Sequence, residues 1–341
     1  MASHRRPKQP NRARVTVLTA TAAAAVALSA HGASAAPAKP GKDEVKAQVD
    51  ALYEEAEQAT EKYNGAEERQ EKLEKEIGQL QDQVARGQGD LNELRSTLGS
   101  MASAQYRNGG IDQSLALFLS EDPDSYLEKA SSLEHLSGKQ VEAVQKIQAK
   151  QRTLAQQRQE AAGKLADLDA TRKELGEKKK VSKEKLAQAQ ALLNTLTAQE
   201  RAQLKDEEAR ASRADGQRVD LGNEKPSGRA GAALAAAKTK VGSPYISGNE
   251  GPTSFDCSGL TQWAYKQAGI GITRTTWTQA KEGTRISRSQ LQPGDLVFFY
   301  GDLHHVGLYA GNNMTLHAAN PRGGVKYESM DNMPFQFGVR I

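Results

Sequence analysis

A heptad pattern in the middle of the chain restricts its possible folds more than any other feature. Small or apolar residues recur at alternating steps of four and three over residues 45–101, with lapses only at Gln70 and Gly87. A weaker pattern of similar period covers residues 144–196. Such a seam is buried when a second helix covers it. With only 37% hydrophobic residues, much of the chain is therefore predicted to be elongated helix rather than one large core.

Two helix-breaking stretches separate these patterns and favour a hairpin. Asn108-Gly109-Gly110 and Asp122-Pro123-Asp124 interrupt the helical region near its middle. We predict an antiparallel coiled-coil hairpin over residues 36–212, with an intermolecular coiled coil as the alternative. The apolar tip either packs back onto the hairpin or forms an exposed patch that docks a partner. Its members are Leu115, Leu117, Phe118 and Leu119.

The N-terminus predicts export from the cell. Five basic residues precede an apolar run from Val15 to about Ala30, and Ala33-Ser34-Ala35 follows. This is the three-part pattern of a secretory signal peptide, which we assign to residues 1–35; an uncleaved membrane anchor is the alternative. Without the signal the chain carries 46 − 5 = 41 basic and 42 acidic side chains. That balance gives no reason to expect nucleic acid as a partner.

A polar stretch over residues 213–229 has the composition of a linker and precedes a different pattern. Residues 230–241 and 257–268 are predicted helices. Short β-rich runs then follow at 296–300, 305–309, 314–317 and 325–327. Helices followed by an antiparallel meander predict an α+β domain over residues 230–341.

The only cysteine of the chain, Cys257, lies at the predicted start of a helix. A helix N-terminus lowers a thiol pKa, although a lone cysteine is also common as a small buried residue. Alternation along neighbouring strands lets His305 and His317 point together at this helix, while His304 faces away. Nucleophile, base and orienter are then all supplied. Zinc binding by Cys257, His305 and His317 is the alternative, although a fourth ligand is missing.

Four motifs in the C-terminal third resemble those of the NlpC/p60 family of cell-wall cysteine peptidases. They are Gly242-Ser-Pro-Tyr245, Phe255-Asp-Cys-Ser-Gly-Leu260, Pro293-Gly-Asp-Leu-Val-Phe-Phe299 and His305-Val-Gly-Leu-Tyr-Ala-Gly311. The resemblance covers about residues 230 to 341. It implies a papain-like NlpC/p60 domain, with helices packed on an antiparallel sheet.

The resemblance also assigns roles to individual residues. Cys257 matches the nucleophile, His305 the general base and His317 the polar residue that orients the imidazole. Three further residues match positions that line the substrate site, and a fourth matches the structural aspartate of the Pro-Gly-Asp turn. These are Tyr245, Asp256 and Ser258, and Asp295. Residues 246–249 depart from the family's aromatic and paired glycines, so the groove wall is expected to differ.

The function implied by this resemblance is cleavage of peptidoglycan stem peptides, commonly between D-glutamate and diaminopimelate, without a cofactor or metal. We therefore expect a secreted, wall-associated thiol peptidase. Similar coiled-coil wall hydrolases imply that the hairpin covers Cys257 or delivers the enzyme to a membrane-bound division or wall-remodelling protein. A protein that binds wall without cutting it is the alternative.

Overall fold

Long helices and one small mixed domain make up the part of the chain that the structure describes. The structure is a computed structural model, and it describes residues 40–107, 115, 123–218 and 228–341. Gly41–Ile341 form one compact unit. The predicted signal, most of the predicted tip and residues 219–227 lie outside the described residues. Within the described ranges, no helix combines the length and the apolar character needed to cross a bilayer.

Helices α1 (Lys42–Arg107) and α2 (Pro123–Thr195) pack against each other along their lengths. We call this pair the hairpin. Its ion pairs fix an antiparallel order, because the residue numbers on α2 fall as those on α1 rise. These pairs are Arg69–Glu174, Glu76–Lys164 and Asp90–Lys150. The predicted arrangement of one helix going out and one coming back within a single chain is thus confirmed.

Packing explains one of the two lapses in the heptad pattern. A Cβ at Gly87 would lie 2.8 Å from Cδ2 of Leu154, so the leucine of α2 occupies the space that a side chain at Gly87 would need. Leu154 belongs to a buried cluster with Leu91 and Ile147. The lapse is therefore a close contact between the helices rather than a break in the seam.

A third helix, α3 (Ala198–Arg218), packs against the base of the hairpin. Leu204 joins Val45 and Val49 of α1 in one buried cluster. The helix continues into the stretch that we assigned to a linker, where a Cβ at Gly216 would lie 3.4 Å from the ring of Tyr327. Packing on the C-terminal domain explains why this polar segment remains helical.

The C-terminal domain has three helices and a six-stranded, wholly antiparallel sheet with strand order β1-β6-β2-β3-β4-β5. The helices are α4 (Gly228–Lys238), α5 (Cys257–Gln267) and α6 (Thr276–Gln279). The strands are β1 (Thr284–Ile286), β2 (Leu296–Phe299), β3 (His305–Gly311), β4 (Met314–Ala318), β5 (Val325–Ser329) and β6 (Phe335–Arg340). The α+β fold is as predicted.

Strands β1 and β6 were not predicted from the sequence. Strand β1 has three residues, too few to reveal an alternation, and Gly338 interrupts the alternation of β6. Both strands complete the sheet on the side away from β4 and β5. Their omission therefore leaves the predicted histidine strands unaffected.

The domain core holds α5 against the centre of the sheet. Leu260, Ala264 and Tyr265 of α5 share one buried cluster with residues of β2, β3 and β4. Each fully buried leucine or aromatic ring there contributes about 1.5–3 kcal/mol. This packing fixes the start of α5 relative to β3 and β4.

Candidate active site

The thiol lies at the first turn of α5, in a position set by the residue before it. Asp256 is the N-cap, with its Oδ1 accepting from the backbone N–H of Gly259 at 2.7 Å. The guanidinium of Arg274 donates to both oxygens of the same carboxylate, at 3.0 and 2.6 Å. Cys257 follows directly as the first helical residue and is 1% exposed. Asp256 thus fixes the helix start that carries the thiol.

The two predicted histidines lie together on β3 and β4, and a glycine makes their contact possible. His305 Nε2 and His317 Nδ1 are 2.6 Å apart. Gly307 lies between them on the same face of the sheet, where a Cβ would lie 3.0 Å from the Cβ of His317 and 2.3 Å from Oγ1 of Thr315. A side chain at Gly307 would therefore displace Thr315 and the backbone end of the His317 side chain.

A carboxylate that the sequence analysis missed completes a relay behind the histidines. Glu328 of β5 accepts from His317 Nε2 at 3.2 Å and forms an ion pair with Lys326 at 2.8 Å. Burial would raise the pKa of Glu328, but the bond from His317 and then Lys326 outweigh it and lower the pKa. Burial lowers the pKa of His317 to about 4, so this imidazole is neutral near pH 7.

The relay determines which nitrogen of His305 can act as a base. Because neutral His317 donates its Nε2 proton to Glu328, its Nδ1 must accept from the Nε2–H of His305. The Nδ1 lone pair of His305 is then left for proton transfer. Both nitrogens of His317 are engaged in this relay, one by His305 and the other by Glu328.

The hairpin contributes three further side chains that the sequence analysis did not single out. Glu57, Glu61 and Asn64 lie one to two turns apart on α1 and are buried against the C-terminal domain. Asn64 donates to Asp256 Oδ2 at 3.0 Å. The described α1 therefore packs directly on the predicted catalytic centre.

The Glu61 carboxylate occupies a set of donors beside the thiol. Its Oε1 accepts from the hydroxyl of Ser258 at 2.5 Å, and its Oε2 accepts from the backbone N–H and hydroxyl of Thr276 at 3.0 and 2.9 Å. The Cys257 Sγ lies 3.7 Å from the same Oε1. Arg274 donates to the Ser258 hydroxyl at 2.8 Å. We call the donors on Ser258 and Thr276 the carboxylate cradle.

Glu57 takes the place beside the base that the thiol would need. Its Oε1 lies 2.6 Å from His305 Nδ1, the nitrogen that the relay leaves for proton transfer. Burial alone would lower the pKa of His305, but Glu57 and other nearby carboxylates outweigh it and raise the pKa. Burial, followed by the carboxylates of Glu57 and Glu61, raises the pKa of the Cys257 thiol well above its ordinary value. The expected lowering by the helix N-terminus is thus overridden in this closed arrangement.

The remaining predicted residues also lie around the thiol. Tyr245 is buried, and burial, followed by the charge of Glu57, raises the pKa of its phenol. The divergent loop at 246–249 contacts both α1 and the N-cap: Ser247 bonds Thr60 at 2.6 Å, and Gly248 N–H donates to Asp256 at 2.9 Å. Asp295 is buried in its turn and forms an ion pair with Arg340.

Comparison with known proteins places this site in a family. Residues 242–339 match the model of the NlpC/P60 family. The C-terminal domain is an NlpC/P60 domain. The match includes the thiol, both histidines, Glu328 and the carboxylate cradle, whereas Glu57, Glu61 and Asn64 precede it.

Relatives of the NlpC/P60 domain are named as endopeptidases. A probable endopeptidase of Corynebacterium glutamicum is 48% identical over 117 residues, which are 34% of this chain and 56% of that protein. The probable endopeptidase p60 of Listeria monocytogenes is 46% identical over 99 residues, 28% of this chain and 20% of p60. The crystallised NlpC/p60 domain of the peptidoglycan hydrolase SagA is 36% identical, with a TM-score of 0.32; the match covers 33% of this chain and 98% of that domain. The chain thus spans about half, or less, of these two endopeptidases.

A local change in composition marks the part of α1 that contacts the NlpC/P60 domain. Residues 56–66 contain three alanines, a threonine, an asparagine and a glycine. Small residues allow another surface to approach a helix closely. A Cβ at Gly65 would lie 3.4 Å from the ring of Trp277. This run is the sequence signal from which the contact could have been predicted.

Proposed function

We propose that this protein is an exported peptidoglycan hydrolase that cuts stem peptides with a Cys257–His305–His317 thiol mechanism, and that its hairpin holds it closed. The observation that carries the proposal is the arrangement of a thiol at a helix start beside a histidine relay, within an NlpC/P60 domain. Export rests on the signal-like pattern of residues 1–35. An exported protein has access to the peptidoglycan of the cell wall.

In the proposed reaction, release of the hairpin removes Glu57 from His305 Nδ1 and Glu61 from the thiol. His305 then takes the thiol proton at Nδ1, while its Nε2–H remains bonded to His317. The Cys257 thiolate attacks the peptide carbonyl, and N–H groups at the start of α5 stabilise the oxyanion. The base returns its proton to the leaving amine. Water then releases the thioester.

The carboxylate cradle supports cleavage of a substrate bond that lies next to a free carboxylate. In the closed form the Glu61 carboxylate is held by Ser258 and Thr276 with its Oε1 3.7 Å from Sγ. A D-glutamyl residue joined through its side chain to diaminopimelate carries a free α-carboxylate close to the scissile carbonyl. We infer that this group replaces Glu61 in the cradle, which favours the D-glutamyl–diaminopimelate bond.

The closed state supports a regulatory role for the hairpin. Cys257 is 1% exposed, and α1 supplies carboxylates to both the thiol and the base. Arg322, in the connection between β4 and β5, also joins the NlpC/P60 domain to Asp50 of α1 and Glu208 of α3, each at 2.6 Å. A substrate cannot occupy the cradle while Glu61 fills it. Activation would therefore require hairpin release, for which we propose a membrane-bound division or wall-remodelling protein acting at the tip.

A larger side chain at Gly65, where α1 contacts the NlpC/P60 domain, tests the proposed hydrolysis in the full chain. Gly65→Phe places a ring against Trp277 and should open the site, whereas Gly65→Ala adds only a Cβ at an ordinary contact distance of 3.4 Å. Each variant would be incubated with purified diaminopimelate-type sacculi and the soluble products weighed by mass spectrometry. Gly65→Phe should release stem-peptide fragments faster than wild type or Gly65→Ala.

Cys257→Ala in the Gly65→Phe background distinguishes thiol-dependent hydrolysis from binding to the wall without cleavage. Loss of all fragments supports thiol catalysis, and undiminished release contradicts it. Tight binding to sacculi without products from either protein would instead favour the non-catalytic, wall-binding alternative. Product masses that show new termini other than D-glutamate and diaminopimelate would refute cleavage of the D-glutamyl–diaminopimelate bond. Such masses would still support peptidoglycan hydrolysis.

A further inference from the structure

Three buried side chains of the closed site have the chemistry of a transition-metal site. The carboxylate of Glu57, the thiol of Cys257 and a ring nitrogen of His305 place one potential ligand atom each within 4.8 Å of one another. Carboxylate oxygen, thiolate sulfur and imidazole nitrogen are all zinc ligands. Glu57 comes from α1, while Cys257 and His305 come from the NlpC/P60 domain, so the set is complete only when the hairpin is docked.

The orientation of His305 suits it for metal binding. Metal-bound histidines ordinarily donate the proton of the other ring nitrogen to a fixed acceptor, which orients the ring. His305 has this support, because its Nε2 bonds His317, which in turn bonds Glu328. The lone pair on Nδ1 then points at the Glu57 carboxylate, 2.6 Å away. Two lone pairs at this distance require a cation between them, either a proton or a metal ion.

We propose that Glu57, Cys257 and His305 bind one Zn²⁺ ion that fastens the hairpin to the NlpC/P60 domain. On binding, the thiol proton and the proton shared by His305 Nδ1 and Glu57 are released to solvent, and a zinc–sulfur bond forms. His305 Nδ1 and one oxygen of Glu57 supply the other protein ligands, and water takes the fourth position. The distance between Nδ1 and the Glu57 oxygen opens by roughly 1 Å to reach tetrahedral ligand spacing. No electron is transferred. The ion occupies both catalytic groups and ties them to α1.

This inference rests on the proposed function, because it makes zinc an inhibitor of the same thiol. It differs from the zinc set that the sequence offered only as an alternative to catalysis, in which His317 was the third ligand. Here His317 acts one bond further out, and the third ligand comes from a different part of the chain. Chelation of zinc would then be one condition for hairpin release.

Cobalt(II) gives a test that does not depend on catalysis. The chelator-treated full chain would be titrated with CoCl₂, and the thiolate-to-cobalt charge-transfer band and the ligand-field bands of tetrahedral cobalt recorded. One equivalent should bind with both signatures, and ZnCl₂ should displace it. Glu57→Gln should weaken binding by at least roughly 100-fold, since changes to outer-shell partners alone cost ~10–100-fold. Glu57→His keeps a ligand and should restore binding, while Glu54→Gln, one turn away, should leave it unchanged.

Two outcomes would overturn the proposal. One is a wild-type spectrum without a thiolate band. The other is equal cobalt affinity in wild type and Glu57→Gln, which would place any ion on the NlpC/P60 domain alone. Circular dichroism of each variant checks that the hairpin remains folded. Failure of the hydrolase proposal would show as absent muropeptide release from Gly65→Phe, a readout independent of cobalt binding.

Discussion

Docking of the hairpin on the NlpC/P60 domain is expected to weaken as pH rises, because the Glu61 carboxyl loses its proton. Burial first, and then the charge of Asp256, raise the pKa of Glu61 from 4.5 to about 7. A carboxyl group whose pKa is raised on docking favours the docked state while it is protonated. Its contribution is complete below pH 4.5 and is lost as pH rises through about 7.

The size of the effect follows from the shift. A change of ~2.5 pKa units corresponds to about 3 kcal/mol once Glu61 is ionised in both states. Between pH 5.5 and pH 8 the loss is about 2 kcal/mol, or roughly 30-fold in the docking equilibrium. Glu61→Gln cannot ionise and keeps an oxygen for the cradle, so its docking should lack this component. The raised pKa of His305 has the same sign but is common to both proteins.

Alkylation of Cys257 by a small neutral reagent reports hairpin opening, because the docked thiol is buried. Thiol ionisation also changes with pH, but it cancels in the ratio of wild-type to Glu61→Gln rates. That ratio should rise roughly 30-fold from pH 5.5 to pH 8, in line with the calculated loss of docking. A ratio that stays constant would refute the assignment of a proton to docked Glu61. Alkylation of both proteins in denaturant serves as the control for reagent reactivity.

Other predictions concern the relay, the helix start and the base of the hairpin. In the opened Gly65→Phe chain, Glu328→Leu should lower kcat by roughly tenfold or more with little change in KM. Glu328→Gln still accepts a hydrogen bond from His317 and should retain most of the rate. Equal losses of kcat in the two variants would contradict the relay. Asp256→Ala removes the bidentate partner of buried Arg274, which keeps its ion pair with exposed Glu250, and should lower the free energy of unfolding by about 3 kcal/mol in urea. Asp331→Ala removes an exposed partner of Arg288 and should cost less than about 1 kcal/mol; similar values for the two variants would contradict the role of Asp256. Arg322→Ala removes two ion pairs between the domain and the helices and should speed thiol alkylation roughly tenfold, and an unchanged rate would exclude that role.

The hairpin and the strands that carry His305 and His317 were predictable because each depends on a local period. Heptad spacing showed that residues 45–101 and 144–196 need a covering helix, and strand alternation placed His305 and His317 on one face. Glu328 was missed because β5 has only five residues, four of them partly exposed, so the alternation does not say which side chain meets the histidines. The hydrogen bond between Glu328 and His317 depends on the register of β4 and β5, in which His317 lies opposite Lys326.

Periodicity in the sequence does not predict that α1 packs on the predicted catalytic centre. Glu57 and Glu61 precede their partners by roughly two hundred residues, and a glutamate in a helix rich in charged residues is ordinarily solvated. Only the cluster of small residues around Gly65 indicates that something approaches closely. Which surface approaches is decided by the complementarity of the Glu61 carboxylate and the cradle, and that complementarity exists only after the NlpC/P60 domain has folded.

The same complementarity determines how the closed state can be opened. Because Glu61 and the proposed substrate carboxylate would use the same Ser258 and Thr276 donors, hairpin and substrate exclude each other and must be linked thermodynamically. Substrate can shift the equilibrium only by its own affinity for the open site, and it competes with a group held in the same chain at high effective concentration. A second binding event, on the hairpin and away from the cradle, can lower that effective concentration without competing for the donors. The geometry thus favours control through the helices over control by substrate supply.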